Sequence, residues 1–109
     1  MSELQIPAVI ADFIDVVNAH DGEGFLNAFT SSGVVDDWGR EYTGREAIKA
    51  WSDKEFIGAT GVLTPEAVST EAGRVTVIGD WASTYANGRS SFAFDLDGER
   101  IARMTIREG

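Results

Sequence analysis

The chain has 109 residues and no cysteine, so it can build one hydrophobic core but neither a disulfide nor a thiolate metal site. Eighteen acidic residues against nine basic ones give a net charge of −9, which repels phosphate backbones and anionic lipid, so neither nucleic acid nor membrane is an expected partner. Hydrophobic content of 43% with 25% charged residues is ordinary for a globular domain, and no apolar run approaches the roughly 20 residues of a membrane helix.

The opening MSELQIP carries no basic start followed by an apolar core, so no secretory leader is expected. Together with the absent cysteines this points to a cytoplasmic protein. A single domain over residues 1–109 is expected, since neither repeat nor linker interrupts the chain. His20 is the only histidine, so any His-based triad or metal site would have to be built around it.

Ile6, Val9, Ile10, Phe13, Ile14 and Val17 recur at three-and-four spacing and predict an amphipathic helix from about Pro7 to Asn18, with Pro7 suited to its first turn. Asp21 is placed to cap a short second helix with Phe25, Leu26 and Phe29 on its buried side. Val34–Asp37 reads as a short strand at a sheet edge. A third helix follows Thr43-Gly44-Arg45-Glu46, where Thr43 and Glu46 have capping-box spacing and Ala47, Ile48 and Trp51 form the apolar stripe. From residue 60 the pattern alternates with period two, predicting strands near 62–71, 74–86, 89–96 and 100–107. Asn87-Gly88 and Asp97-Gly98 are hairpin dipeptides that turn a meander.

A two-residue turn at Asn87-Gly88 would set Ser83 opposite Phe92 and Trp81 opposite Phe94. A three-residue loop at Asp97-Gly98-Glu99, with Gly98 left-handed, would pair Phe94 with Ala102 and Phe92 with Met104. This register keeps Trp81, Phe92, Phe94, Met104 and Ile106 on one face. The other face, with Ala82, Thr84 and Ala93, is flat and small. The predicted fold is α+β: three N-terminal helices in the concavity of a strongly curved, mainly antiparallel sheet, forming a half-open cone whose apolar interior is the default ligand site.

The order helix–helix–strand–helix–meander carries the words Val17-Asn18-Ala19-His20-Asp21, Val34-Val35-Asp36-Asp37-Trp38, Gly44-Arg45-Glu46-Ala47-Ile48 and Asp97-Gly98-Glu99-Arg100-Ile101. Over nearly its whole length this resembles the nuclear transport factor 2-like superfamily, and within it the small SnoaL-like proteins. The resemblance implies a cone-shaped, cystatin-like fold enclosing a pocket, commonly in a homodimer. The superfamily spans ketosteroid isomerases, polyketide cyclases, dehydratases, epoxide hydrolases and non-catalytic binders, so the fold by itself selects no reaction. By resemblance to the ketosteroid isomerases, Asp37 falls on the general-base position. Phe13 stands where their oxyanion tyrosine would be, and no carboxylate lies near Ser90, where their second oxyanion donor would be. The resemblance therefore implies a base without its electrophilic partner, which argues against steroid isomerisation.

Two functional readings remain open on sequence. In one, the protein binds a small apolar or aromatic molecule against Phe13, Trp38, Tyr42, Trp51, Trp81, Phe92, Phe94 and Met104, without cofactor or metal. Asp37 then acts as general base in an isomerase, cyclase or hydrolase-type reaction. Trp81 is the pocket candidate in mid-sheet, Trp38 a rim or lid, Trp51 equally explained as core, and Tyr42 and Tyr85 either ligand donors or surface residues. In the other, the chain is a non-catalytic homodimer joined through the outer sheet face, with its core packed shut. Asp36 faces away from Asp37 and is expected to be exposed, and two adjacent acids facing apart make a poor metal site. Arg40 and Arg45 are expected to pair with Asp36, Asp37 or Glu46 at the surface, and His20 to interact with a helix C-terminus.

Overall fold

The computed structural model describes residues 5–109. The reading of the chain start rests in part on residues 1–4, which lie outside that range. Helix α1 (Ala8–Asn18) follows Pro7 and buries Ile10, Phe13, Ile14 and Val17, the stripe set by the three-and-four spacing. Helix α2 (Gly22–Asn27) starts where the Asp21 carboxylate accepts from the Gly24 N–H at 3.0 Å. Phe29 is not on that helix. It opens strand β1 (Phe29–Asp37), which is followed by β2 (Arg40–Thr43), helix α3 (Arg45–Glu55) and strands β3 (Val62–Glu71), β4 (Arg74–Ala82), β5 (Gly88–Asp97) and β6 (Arg100–Glu108).

The six strands form one curved sheet in the order β2-β1-β6-β5-β4-β3. All pairs are antiparallel except β1 with β6. Strand β1 is thus not at the edge; the short β2 is. The turn between them is Trp38-Gly39, with φ of 55° and 93°, closed by the pair Asp37 and Arg40. Two central residues with positive φ give the primed turn that matches strand twist, and the bulky Trp38 hides it from a composition-based reading. The expected Thr43 capping box does not form. Thr43 is held in β2 opposite Val34, and the residue before α3 is Gly44, whose φ is 88° and whose N–H donates to Gly33 O at 2.8 Å.

The registers of both later hairpins differ from expectation. Strand β4 stops at Ala82, and a loop over residues 83–87 replaces the two-residue turn. Asn87 Oδ1 accepts from the Ser83 N–H at 2.8 Å, and Ser83 Oγ donates to Ala86 O at 2.7 Å. Trp81 therefore pairs with Gly88 and not Phe94, a slip of six residues along β5. An even slip leaves every side chain on its face, so Trp81, Phe92 and Phe94 still point inward. The next turn is the tight pair Gly98-Glu99, with Gly98 at φ 64°, and a bulge between Leu96 and Asp95 sets Phe94 opposite Met104 and Phe92 opposite Ile106.

Helix α1 packs on α2 and β3, while α3 packs on α2, β1 and β2, so the helices fill the concave side. Asn18, at the end of α1, ties that helix to the sheet with two bonds to Leu63: its Nδ2 donates to the carbonyl at 2.9 Å and its Oδ1 accepts from the N–H at 2.8 Å. The centre is aromatic. The Phe13 ring meets Phe94 and Phe29 edge-on, at centroid distances of 5.4 and 5.8 Å.

Candidate functional site

Alternation along β1 sends Asp36 and Asp37 to opposite sides of the sheet. Asp36 was expected in solvent but is only 7% exposed. Arg103 and Arg107, both on the neighbouring strand β6, fold over it: Arg103 Nη2 and Arg107 Nη2 reach Oδ2 at 3.0 and 3.1 Å, and Arg107 Nη1 reaches Oδ1 at 3.0 Å. The Gly39 N–H adds a bond to Oδ1 at 2.8 Å. The Arg107 guanidinium, ahead of the Gly39 N–H and Arg103, outweighs burial and lowers the Asp36 carboxyl to about 2. Arg45, expected to meet an acid, instead donates Nη2 to Phe29 O at 2.7 Å. His20, at φ 58° after α1, has Nε2 3.1 Å from Gly61 O.

Asp37 points to the inner side and stands at the rim of a cleft of about 720 Å³. Three elements converge there. Strand β1 ends in Asp37, β2 returns Arg40 opposite it, and α3 ends in Glu55. Arg40 Nη2 lies 2.6 Å from Asp37 Oδ2 and 2.6 Å from Glu55 Oε1, and Nη1 lies 3.3 Å from Glu55 Oε2. One guanidinium is therefore shared by two carboxylates whose side chains are 13% and 9% exposed. Arg40 beside it holds the Glu55 carboxyl below the usual carboxylate range, and the same pairings raise Arg40. Trp51 Nε1 also donates to Asp37 Oδ2, at 3.1 Å. Both bonds fall on Oδ2, and no described residue donates to Oδ1.

A stack of rings runs beneath the cleft, and its Trp51, Phe56 and Trp81 form the floor. Tyr42, Trp51, Phe56 and Trp81 succeed one another at centroid spacings of 5.9, 4.9 and 4.5 Å with interplanar angles of 29°, 24° and 10°. Phe56, just past α3, sits between Trp51 and Trp81 and lines the cleft. Phe92 and Ile106 complete the floor, and Trp38 and Tyr85 stand on the lips at 58% and 56% exposure.

The structure thus brings Asp37, Trp38, Trp51, Trp81 and Phe92 to one cleft. Phe13, Phe94 and Met104 are buried in the core away from it, and Tyr42 lies behind Trp51 with the Arg40 guanidinium 5.9 Å from its ring. Arg40, Glu55 and Phe56 border the cleft and were not singled out as ligand residues from the sequence. Glu55 had a usable signal: it follows Trp51 by four positions and so shares its helix face. A second, slightly larger hollow of about 780 Å³ lies by Thr30, Arg45, Asp97 and Arg100 at the other end of β1. It has no aromatic wall and mixes acids with arginines, so the cleft at Asp37 is the better candidate. Among the described residues no cluster of His, Asp and Glu is arranged to hold a metal ion, and no helix is long and apolar enough to cross a membrane.

A family model described as the SnoaL-like domain matches residues 10–109. The chain belongs to the SnoaL-like family. Solved structures agree on the fold of this SnoaL-like chain. A candidate polyketide cyclase from Sinorhizobium meliloti superposes with a TM-score of 0.82 at 21% identity, covering 94% of this chain and 95% of its own. A nuclear transport factor 2-like protein of unknown function from Cytophaga hutchinsonii gives 0.81 at 12% identity, covering 97% and 91%. RV0760c of Mycobacterium tuberculosis, solved in complex with estradiol-17beta-hemisuccinate, gives 0.80 at 20% identity, covering 93% and 91%. No curated protein matches the sequence.

Proposed function

We propose that this SnoaL-like protein binds a compact apolar or aromatic molecule in the cleft beside Asp37. The observation that carries this is the pairing of an aromatic floor with a carboxylate that is anchored through one oxygen and offers the other. In the catalytic form, Asp37 Oδ1 is the general base of a cofactor-free isomerase, cyclase or hydrolase-type reaction. Arg40 and Trp51 hold the carboxylate in one rotamer, so little reorganisation precedes proton transfer. Trp38, Trp51, Trp81 and Phe92 supply the apolar contacts. The steroid complex of RV0760c is a precedent for small-molecule binding on this fold.

A second reading is a non-catalytic homodimer joined through the outer sheet face, and the ring stack favours it: Phe56 between Trp51 and Trp81 closes the interior of the cone. Tryptophan emission distinguishes the two. Titration with small ring compounds is expected to give saturable quenching that is lost in Trp38→Phe. A flat response across the panel, with a dimer in sedimentation, would sink the binding reading in favour of the second.

A further inference from the structure

Three large apolar side chains are exposed among the described residues, Trp38, Val62 and Tyr85, and two of them stand on this one cleft. Trp38 holds its place on a positive-φ turn anchored by its N–H to Ile106 O at 3.2 Å, and Tyr85 comes from the Ser83–Asn87 loop. Between them the charges do not balance. Asp37 and Glu55 share a single guanidinium, and Glu108 adds a third carboxylate to the wall. The other cation there, Arg89, is paired outward with Glu66.

An anionic ligand would have to take Arg40 away from two short ion pairs, and would meet uncompensated negative charge. A cation meets the reverse. It finds an open carboxylate oxygen on Asp37 and two electron-rich ring faces at the lips. The net charge of −9 adds long-range attraction. Within the stack the rings cover one another's faces and offer the ligand's apolar body mainly their edges, so Trp38 and Tyr85 are the rings whose faces are exposed to a cation.

We infer that the cleft selects ligands with a protonated amine on an apolar ring body, the ammonium lying against Asp37 Oδ1 between Trp38 and Tyr85. This rests on the small-molecule reading above and adds the ligand's charge to it.

Calorimetric titration of the intact protein with three naphthalene probes of similar size, 2-naphthylmethylamine, 2-naphthylmethanol and 2-naphthoic acid, tests it. The amine is expected to bind about tenfold more tightly than the alcohol, with the acid weakest. The amine's advantage should shrink with added salt and disappear in Asp37→Asn, while Trp38→Leu and Tyr85→Leu should each lower amine affinity several-fold with the melting temperature unchanged. Equal binding of the three, or preference for the acid, overturns the charge selection and leaves the pocket standing. Binding of none of the three overturns the pocket reading and this inference with it.

Discussion

Asp36 and Asp37 are sequence neighbours whose carboxylates serve opposite faces of the sheet, one sealed under Arg103 and Arg107, the other open to the cleft through Oδ1. The same two-residue period that separates them also separates their consequences: altering the first tests stability, altering the second tests function.

Asp36→Asn is expected to destabilise the fold by about 1–2 kcal/mol, allowing for the solvent that screens the two arginines. Because the folded carboxyl lies at about 2, below its ordinary 3.8, its contribution is complete above pH ~4 and is lost as the pH falls towards 2. Urea midpoints measured from pH 6 to pH 2 should therefore fall more steeply for the wild type than for the variant. Parallel curves would refute the assignment.

Asp37→Asn keeps an oxygen for Trp51 Nε1 and loses only a pair to a half-exposed arginine, so its unfolding free energy should change by less than about 1 kcal/mol. Any turnover found for the wild type should drop by about 100-fold or more. Turnover that survives the substitution would remove Asp37 as the base.

Phe56→Ala takes out the middle ring of the stack and should cost about 3–5 kcal/mol. Phe56→Leu should recover part of that loss. Chemical denaturation measures both, and a cost under about 1 kcal/mol would mean that Phe56 does not seal the cone.

Gly61→Ala would place a Cβ 2.1 Å from the tip of the Trp81 indole, which must then shift. A loss of about 1–3 kcal/mol is expected, with a changed tryptophan spectrum as Trp81 tilts on Phe56. An unchanged near-ultraviolet circular dichroism signal would contradict this packing.

The parts of the fold governed by periodicity were readable. The stripe of α1, the alternation of β4 and the cap at Asp21 are local patterns whose side chains end where their spacing sends them, whereas bulges at Pro65/Ala67 and Asp95/Leu96 break the period in the strands on either side. Turn length was not readable in the same way. Asn87-Gly88 looks like a tight hairpin, yet the Asn87 side chain closes a wider loop by capping Ser83, a use of the amide that composition does not announce. Trp38-Gly39 turns tightly although tryptophan is a poor turn residue, so β2 stayed hidden; the pairing of Arg40 with Asp37 was expected, but its sharing with Glu55 was not. The burial of Asp36 was missed for another reason. Its partners lie 67 and 71 residues away, and only the parallel pairing of β1 with β6 brings them near.

That parallel pairing also sets the order in which the sheet can form. Asp37 lies level with Ile106, and the Trp38 turn hangs from the Ile106 carbonyl, so one lip of the cleft joins β1 to β6, the first and sixth strands of the sheet in chain order. A ribosome would have to release the chain through β6 before the cleft exists. Until β6 docks, β1 and β5 each present a bare hydrogen-bonding edge, the kind of surface on which unfinished chains associate. Contacts this distant in sequence also slow the search for the native state. Cleft formation should thus be the late step of folding, and a substitution that weakens β6 should reduce the yield of folded protein before it alters any property of the cleft itself.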